Sequence, residues 1–438
     1  MKNIRIFKRL TITLMAALLL ALAGCKGGGE SSGSGEPDGS QQSDRAEKPT
    51  LTVCMDLGYD QTPEKLQDIV REYAPEFKDS YKLKIEPILD VNRDASLDRI
   101  RVEMMAGKGP DLFLCMNPQA TIFFPSTEKQ ALFQYPKALM KRHMFLPLDD
   151  YIENAKYMEW DKLYPEIMAA GKNDDGQQIL PISWMMNFTG IPAESYELPD
   201  DIPMTFEEML ESDDPGIIAA TGSFNYCDSL GQLADYEHDA PAFTIEELTA
   251  HLEGLSENRK LRTKEFLESL DMPKSMEFSR HNFTQSQGSQ EYVLIPQYNR
   301  QGGATAYIST FGAVNINSKV PEAAFEILDL LLSKDVQKLS DLLMYDPGAP
   351  VHMELPRKKV RIETESGGKF YKNWSISEHN DQQLQTLIKQ INAVDFFTPV
   401  HYELSDLYMA YMQAETKEER EELVAEAYKN IDMMLAES

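Results

Sequence analysis

Between Leu51 and Met116 the apolar pattern switches back and forth between strand-like and helix-like spacing, and that alternation restricts the fold more than any other feature of the chain. The stretch "LTVCMD" (residues 51–56) is short, apolar and rich in β-favouring residues, and it predicts a strand. Thr62 and Pro63 then supply an N-cap and a first-turn proline. Leu66, Ile69, Val70 and Tyr73 follow at i, i+3, i+4 and i+7, which predicts a helix with one buried face. "KLKIEPIL" (82–89) alternates as a second strand, and Pro87 places it at an edge or ends it early. Leu97, Ile100 and Met104 mark a second helix closed by Gly107. "PDLFLCM" (110–116) is a continuous apolar run, the kind covered on both faces in a parallel sheet. Strand, helix, strand, helix, strand in this order predicts a right-handed doubly wound unit.

Sheets of that kind bind ligands beyond the carboxyl ends of their strands. The first strand leaves through Asp56 and the third through Asn117, with Tyr59 and Gln119 close behind, so these four are expected near a ligand. The competing reading is that Asp56 and Asn117 only cap the turns that follow.

Further along, Asp175-Gly176 signals a turn before an apolar run containing Pro181. That acidic turn does not fit a calcium loop, because Gly171 and Ile182 stand where Asp and Glu are needed. Thr205 with Glu208, Thr244 with Glu247 and Thr416 with Glu419 form capping boxes. Residues 300–318 have the glycine, β-branched and aromatic content of one or two strands, and Pro321 opens a helix that turns Ala324, Leu328, Leu331 and Leu332 inward. "NDQQLQTLIKQI" and "EELVAEAYKNIDMML" close the chain as helices.

The start of the chain is a different kind of segment. Lys2, Arg5, Lys8 and Arg9 precede an apolar run of 14 residues, Leu10 to Ala23, too short for a spanning helix of about 20 residues and suited to a cleaved secretory signal. Leu22-Ala23-Gly24-Cys25 resembles the lipobox of bacterial lipoproteins, which makes Cys25 the expected lipid anchor. Residues 26–47 hold six glycines and five serines among 22 positions and cannot bury enough surface to offset chain entropy. As a flexible coil they reach about 26 Å.

The whole chain has 438 residues, enough for two domains, and a formal net charge of −28. That charge repels nucleic acid and anionic lipid and favours neutral or cationic ligands. The basic run Arg357-Lys358-Lys359 with Arg361 reads as a solvated loop. After Cys25 only Cys54, Cys115 and Cys227 remain, with no CxxC, so neither a disulfide framework nor a zinc knuckle is implied. Cys54 and Cys115 are expected as two buried thiols, about 4.8 Å apart between Cα atoms if their strands are parallel neighbours. His238, within Asp235-Tyr-Glu-His-Asp239, reads as part of an exposed acidic loop rather than a metal site. An HExxH motif is absent. Paired glycosidase carboxylates stay open among 71 acidic residues.

Several segments, in order, resemble the extracellular solute-binding proteins of family 1, the lipoprotein receptors of sugar ABC importers. They are "MMAGKGPDLFLCMN" (104–117), "DGQQILPISWMMNFTG" (175–190), "MTFEEML" (204–210) and "FGAVNINSKVPEAAFEILDLLLSKDVQ" (311–337). The sequence departs from that family where Met186-Asn187-Phe188-Thr189 replaces Tyr-Asn-Lys-Asp and where Phe206 replaces a tryptophan.

The resemblance implies an α/β fold of the periplasmic-binding-protein type II. Each of its two lobes would be a mostly parallel sheet flanked by helices, hinged by crossing strands near 179–184, 304–310 and 344–350. Its expected organisation is a signal peptide at 1–24, the lipidated cysteine and linker at 25–47, lobe I at 48–180 plus 306–343, and lobe II at 181–305 plus 344–438. A solute would sit between the lobes, with Trp184, Asn187, Tyr226, Tyr307 and Trp374 joining Asp56, Tyr59, Asn117 and Gln119 around it. The implied protein is not an enzyme. It is a monomer without cofactor or metal, anchored outside the cell membrane, binding an oligosaccharide and serving an ABC permease. A peptide or polyamine receptor on the same fold, or a secreted glycoside hydrolase, are the alternatives.

Overall fold

The computed structural model describes residues 47–56, 62–116, 131–199, 205–221, 227–261, 276–279, 290–339, 348–355 and 377–438. The leader, Cys25, the linker to residue 46 and the basic run at 357–361 lie outside the described residues. Contacts group Lys48–Ser438 as one unit.

The first three strands are β1 (Thr50–Asp56), β2 (Lys82–Pro87) and β3 (Leu112–Met116), joined by helices α1 (Thr62–Tyr73) and α2 (Arg93–Met105). All run parallel, with β1 between its partners: Thr50 stands opposite Lys82, and Asp56 opposite Cys115. Every residue of β3 is buried, whereas β2 lies at the sheet edge, exposes Lys82 and Lys84, and ends at Pro87, which has no N–H to offer a ladder. α1 buries Leu66, Ile69 and Val70, and α2 buries Leu97, Ile100 and Met104. α2 stops because Gly107 takes φ +70, and the N–H groups of Gly107 and Lys108 fold back to the carbonyls of Met104 and Glu103.

The register corrects the expected cysteine spacing. Cys54 stands opposite Phe113, not Cys115, so the two thiols are offset by two residues along the sheet. Both are buried and unbonded, as expected.

The same sheet continues through three antiparallel strands: β8 (Gly303–Val314), β4 (Ile179–Met185) and β9 (Ala349–Pro350), in the order β2-β1-β3-β8-β4-β9. The described parts of the three segments at which the sequence places chain crossings therefore lie side by side. The glycine-rich stretch forms one 12-residue strand, buried throughout and about 40 Å long. Its second half pairs with β3, with Thr310 opposite Met116. Its first half pairs in parallel with β10 (Ile391–Asp395), with Tyr307 opposite Asp395. Helix α7 (Pro321–Leu331) packs against β8 at Gly312, where a Cβ would lie 2.2 Å from Leu328 Cδ2. The Asp329 carboxylate of α7 accepts the N–H groups of Lys156, Tyr157 and Met158 at 2.6, 3.1 and 2.7 Å, tying the 156–158 loop down.

After β4 the chain changes sheets across Met186 alone. β5 (Asn187–Pro192) is the centre of a separate antiparallel sheet between β6 (Met276–Ser279) and β7 (Tyr292–Pro296). Helices α4 (Phe206–Glu211) and α5 (Pro215–Ala220) cover it through Met209, Ile217 and Ala220. A further core joins α6 (Ile245–Leu261), α9 (Pro399–Tyr411) and α10 (Lys417–Glu437) through Leu248, Leu404, Val424 and Ile431, while α8 (Glu378–Ile388) packs near β7. Between α2 and β4 a short helix, α3 (Pro136–Lys141), adds Ala138 to that second core.

Two of the three expected capping boxes form in full, at Thr205 with Glu208 and Thr244 with Glu247. At the third, Glu419 reaches the Glu415 N–H rather than that of Thr416. Neither β10 nor α9 was expected from the sequence.

Candidate ligand-binding site

Of the nine residues expected near a ligand, Tyr59, Asn117, Gln119, Tyr226 and Trp374 lie outside the described residues. The other four separate into two groups, structural ties and a polar cluster.

Asp56 ends β1 at the edge where a ligand is expected, but it is only 4% exposed. Arg93 grips both of its oxygens, at 2.7 and 3.0 Å, and the Leu132 N–H donates to it at 2.9 Å. A forked guanidinium and an amide use most of a carboxylate's acceptor capacity. Asp56 thus joins the strand exit to α2 and to the 132 segment. Trp184 is fully buried, its Nε1–H donating to the Pro350 carbonyl at 3.1 Å and its ring meeting Tyr164 edge-on at 5.7 Å. It binds β4 to β9 and presents no open ring face for stacking.

Asn187 and Tyr307 come together. Asn187 opens β5, half-buried, and its amide donates to Asp228 Oδ2 at 3.1 Å. Asp228 is 3% exposed, and its backbone carbonyl accepts the Thr305 hydroxyl at 2.7 Å. Burial and then the charge of Asp228 push the Tyr307 phenol well above its usual pKa. Opposite Tyr307 in register, Asp395 forms an ion pair with Lys137 at 3.1 Å.

A row of rings leads outward from this cluster. Tyr307 meets His401 at 5.3 Å, His401 lies against Phe397 at 4.3 Å, and Phe397 meets Tyr402 at 5.0 Å and 88°. Tyr402 is 37% exposed, so the row ends in solvent. His401 also accepts the Thr398 N–H on Nδ1 at 3.1 Å, and burial drives its pKa down to about 4.

Asp228, Asp395, Phe397 and Tyr402 were missed in the sequence. One signal was present: Thr398-Pro399 is an N-cap followed by a first-turn proline, which places Phe397 and Tyr402 at the turn from a strand's carboxyl end into a helix. For Asp228 there was none, because its partner is 41 residues away.

Among the described residues no group of three or more His, Cys, Asp or Glu is set to hold a metal. His238 sits exposed, with Nδ1 2.7 Å from Asp235 Oδ2. Among the described residues no helix is long and apolar enough to cross a membrane.

The sheet order, with a parallel β2-β1-β3 unit bordered by antiparallel β8, is that of the α/β periplasmic-binding-protein-like fold. Solved structures agree on that fold. The sugar-binding protein MalE from Xanthomonas citri superposes with a TM-score of 0.56, at 11% identity over 89% of this chain and 98% of that one. A periplasmic oligogalacturonide binding protein from Yersinia enterocolitica gives 0.55, at 15% identity over 89% and 99%. An extracellular solute-binding protein of family 1 from Alicyclobacillus acidocaldarius gives 0.54, at 15% identity over 89% and 99%. No protein-family model matches the sequence, and no curated protein matches it.

Proposed function

We propose that this chain is a solute receptor of the family 1 type. In this reading it is tethered outside the membrane through Cys25, holds a carbohydrate between two lobes, and passes it to an ABC permease. The lobes would be residues 48–180 with 306–343, and 181–305 with 344–438. Three observations support that division: β8 pairs with β3 along one half and with β10 along the other, β9-β4-β8 adjoin, and the chain changes sheets at Met186.

The observation that carries the reading is the row from Asn187 and Asp228 through Tyr307 to half-buried Phe397 and exposed Tyr402. Sugars need aromatic faces for their C–H side as well as fixed polar groups for their hydroxyls, and Tyr402 offers an aromatic ring at the solvent end of the row. A ligand that touched both lobes would bind the closed arrangement better than the open one, and that difference alone would shift the equilibrium.

The test is calorimetry of the chain with a panel of neutral and acidic oligosaccharides, polyamines and peptides, with product analysis of the mixtures. Tyr402→Ala should weaken the binding of a sugar hit roughly tenfold, since a stacked ring contributes about 0.5–1.5 kcal/mol beyond its buried area. Binding of polyamines alone, or release of cleaved sugar, would replace this reading with a cationic-ligand receptor or a hydrolase.

A further inference from the structure

A cavity of about 590 Å³ opens between α2, the 132–144 segment and the far end of α10, and it shares no lining residue with the Asn187–Asp228–Tyr307 cluster. Its wall is mostly apolar and includes four methionines, Met104 and Met105 from α2, Met144, and Met434 from α10, together with Leu139 and Phe133. Met105 is 84% exposed, so this apolar surface is open to solvent.

Charge enters from three of the lining segments. Arg101 is held in place by donating to the carbonyls of Ala131 and Leu132 at 2.7 and 3.2 Å, and Arg142, exposed just beyond α3, supplies a second guanidinium. Glu437, exposed near the end of α10, faces the same space.

The three wall chemistries select a ligand class. A sugar would bring many of its hydroxyls against the apolar part of the wall, where a lost partner is costly. An acyl chain with a carboxylate would suit the arginines and make no use of Glu437. We infer that the cavity binds a small apolar zwitterion, a dipeptide or free amino acid with aliphatic or aromatic side chains, its carboxylate toward Arg142 and its ammonium toward Glu437. The volume lies within the usual range for small-molecule sites. Methionine is unbranched and adapts to different shapes, so selectivity rests on the two free ends rather than on the side chains.

The test uses the full chain, isotope-labelled at methionine methyl groups, titrated with Leu-Leu, N-acetyl-Leu-Leu and Leu-Leu amide. Leu-Leu should shift the resonances of Met104, Met105, Met144 and Met434, and blocking either end should weaken binding at least tenfold. Arg142→Ala should weaken Leu-Leu by a similar factor and leave the amide's affinity unchanged. Glu437→Gln should do the reverse, leaving the acetylated peptide's affinity unchanged. Both side chains are exposed, so the fold survives either change, which a thermal melt verifies. Equal affinity for all three peptides, methyl shifts confined to other methionines, or no binding at millimolar concentration would each overturn the inference. The result is independent of the carbohydrate reading, because Tyr402→Ala should leave Leu-Leu binding intact.

Discussion

His401 makes the stability of this protein depend on pH in a direction the structure fixes. Its ring is 2% exposed, accepts the Thr398 N–H on Nδ1, and lies between the rings of Tyr307 and Phe397. Burial dominates its titration and lowers its pKa from 6.5 to about 4, with Asp395 opposing that change and failing to reverse it. The unfolded chain therefore takes up the proton first as pH falls. The contribution of His401 is fully present above about pH 6.5 and is lost progressively as pH drops toward 4. A tenfold difference in proton affinity is worth about 1.4 kcal/mol, so the gap between the folded and the unfolded ring amounts to about 3 kcal/mol.

The perturbation is His401→Gln. Glutamine keeps an acceptor at the third helical position for the Thr398 N–H and cannot titrate. Urea unfolding of both proteins at pH 7.5, 6, 5 and 4 isolates the histidine, because the carboxylates common to both cancel in the difference. The wild type should lose about 3 kcal/mol more than the variant between pH 7.5 and 4, with most of the change below pH 6.5. A difference that stays flat across that range, or an imidazole resonance that titrates near pH 6.5 in the folded protein, would refute the reasoning.

Asp329→Ala removes the acceptor of three backbone N–H groups in the 156–158 loop and should cost roughly 1–3 kcal/mol for the groups left unpaired, read from the urea midpoint. Trp184→Ala should lower stability by about 3–5 kcal/mol, because the ring is wholly buried; an affinity loss without a stability loss would place the ring in the ligand site instead. Cys54 and Cys115 should resist thiol reagents until the protein unfolds, since burial raises both thiol pKa values, and reduction should leave the mass unchanged.

Local signals in the sequence carried much of the fold. The β1-α1-β2-α2-β3 unit was legible because each helix repeats its apolar residues on one face and each boundary has its own residue: Pro63 at a start, Gly107 at a stop, Pro87 at an edge. The N-terminal part of α9 was harder to see. His401 and Tyr402 blur its apolar spacing, and only Thr398-Pro399 marks its beginning.

The site was less legible than the fold, and the contrast between Trp184 and Tyr402 gives the reason. A strand covered on both faces loses the alternation that would tell an inward side chain from an outward one, so nothing near Trp184 announces that Pro350 and Tyr164 enclose it. Asn187 finds Asp228, and Lys137 finds Asp395, across separations that no sequence period spans. Most strands and helices, and the points at which they stop, could be read from the residues alone, because those choices depend on neighbours within a few positions. Which carboxylate is engaged, which aromatic is enclosed and which ring reaches solvent were decided only when distant segments packed together, because burial and partnership depend on the other surfaces present.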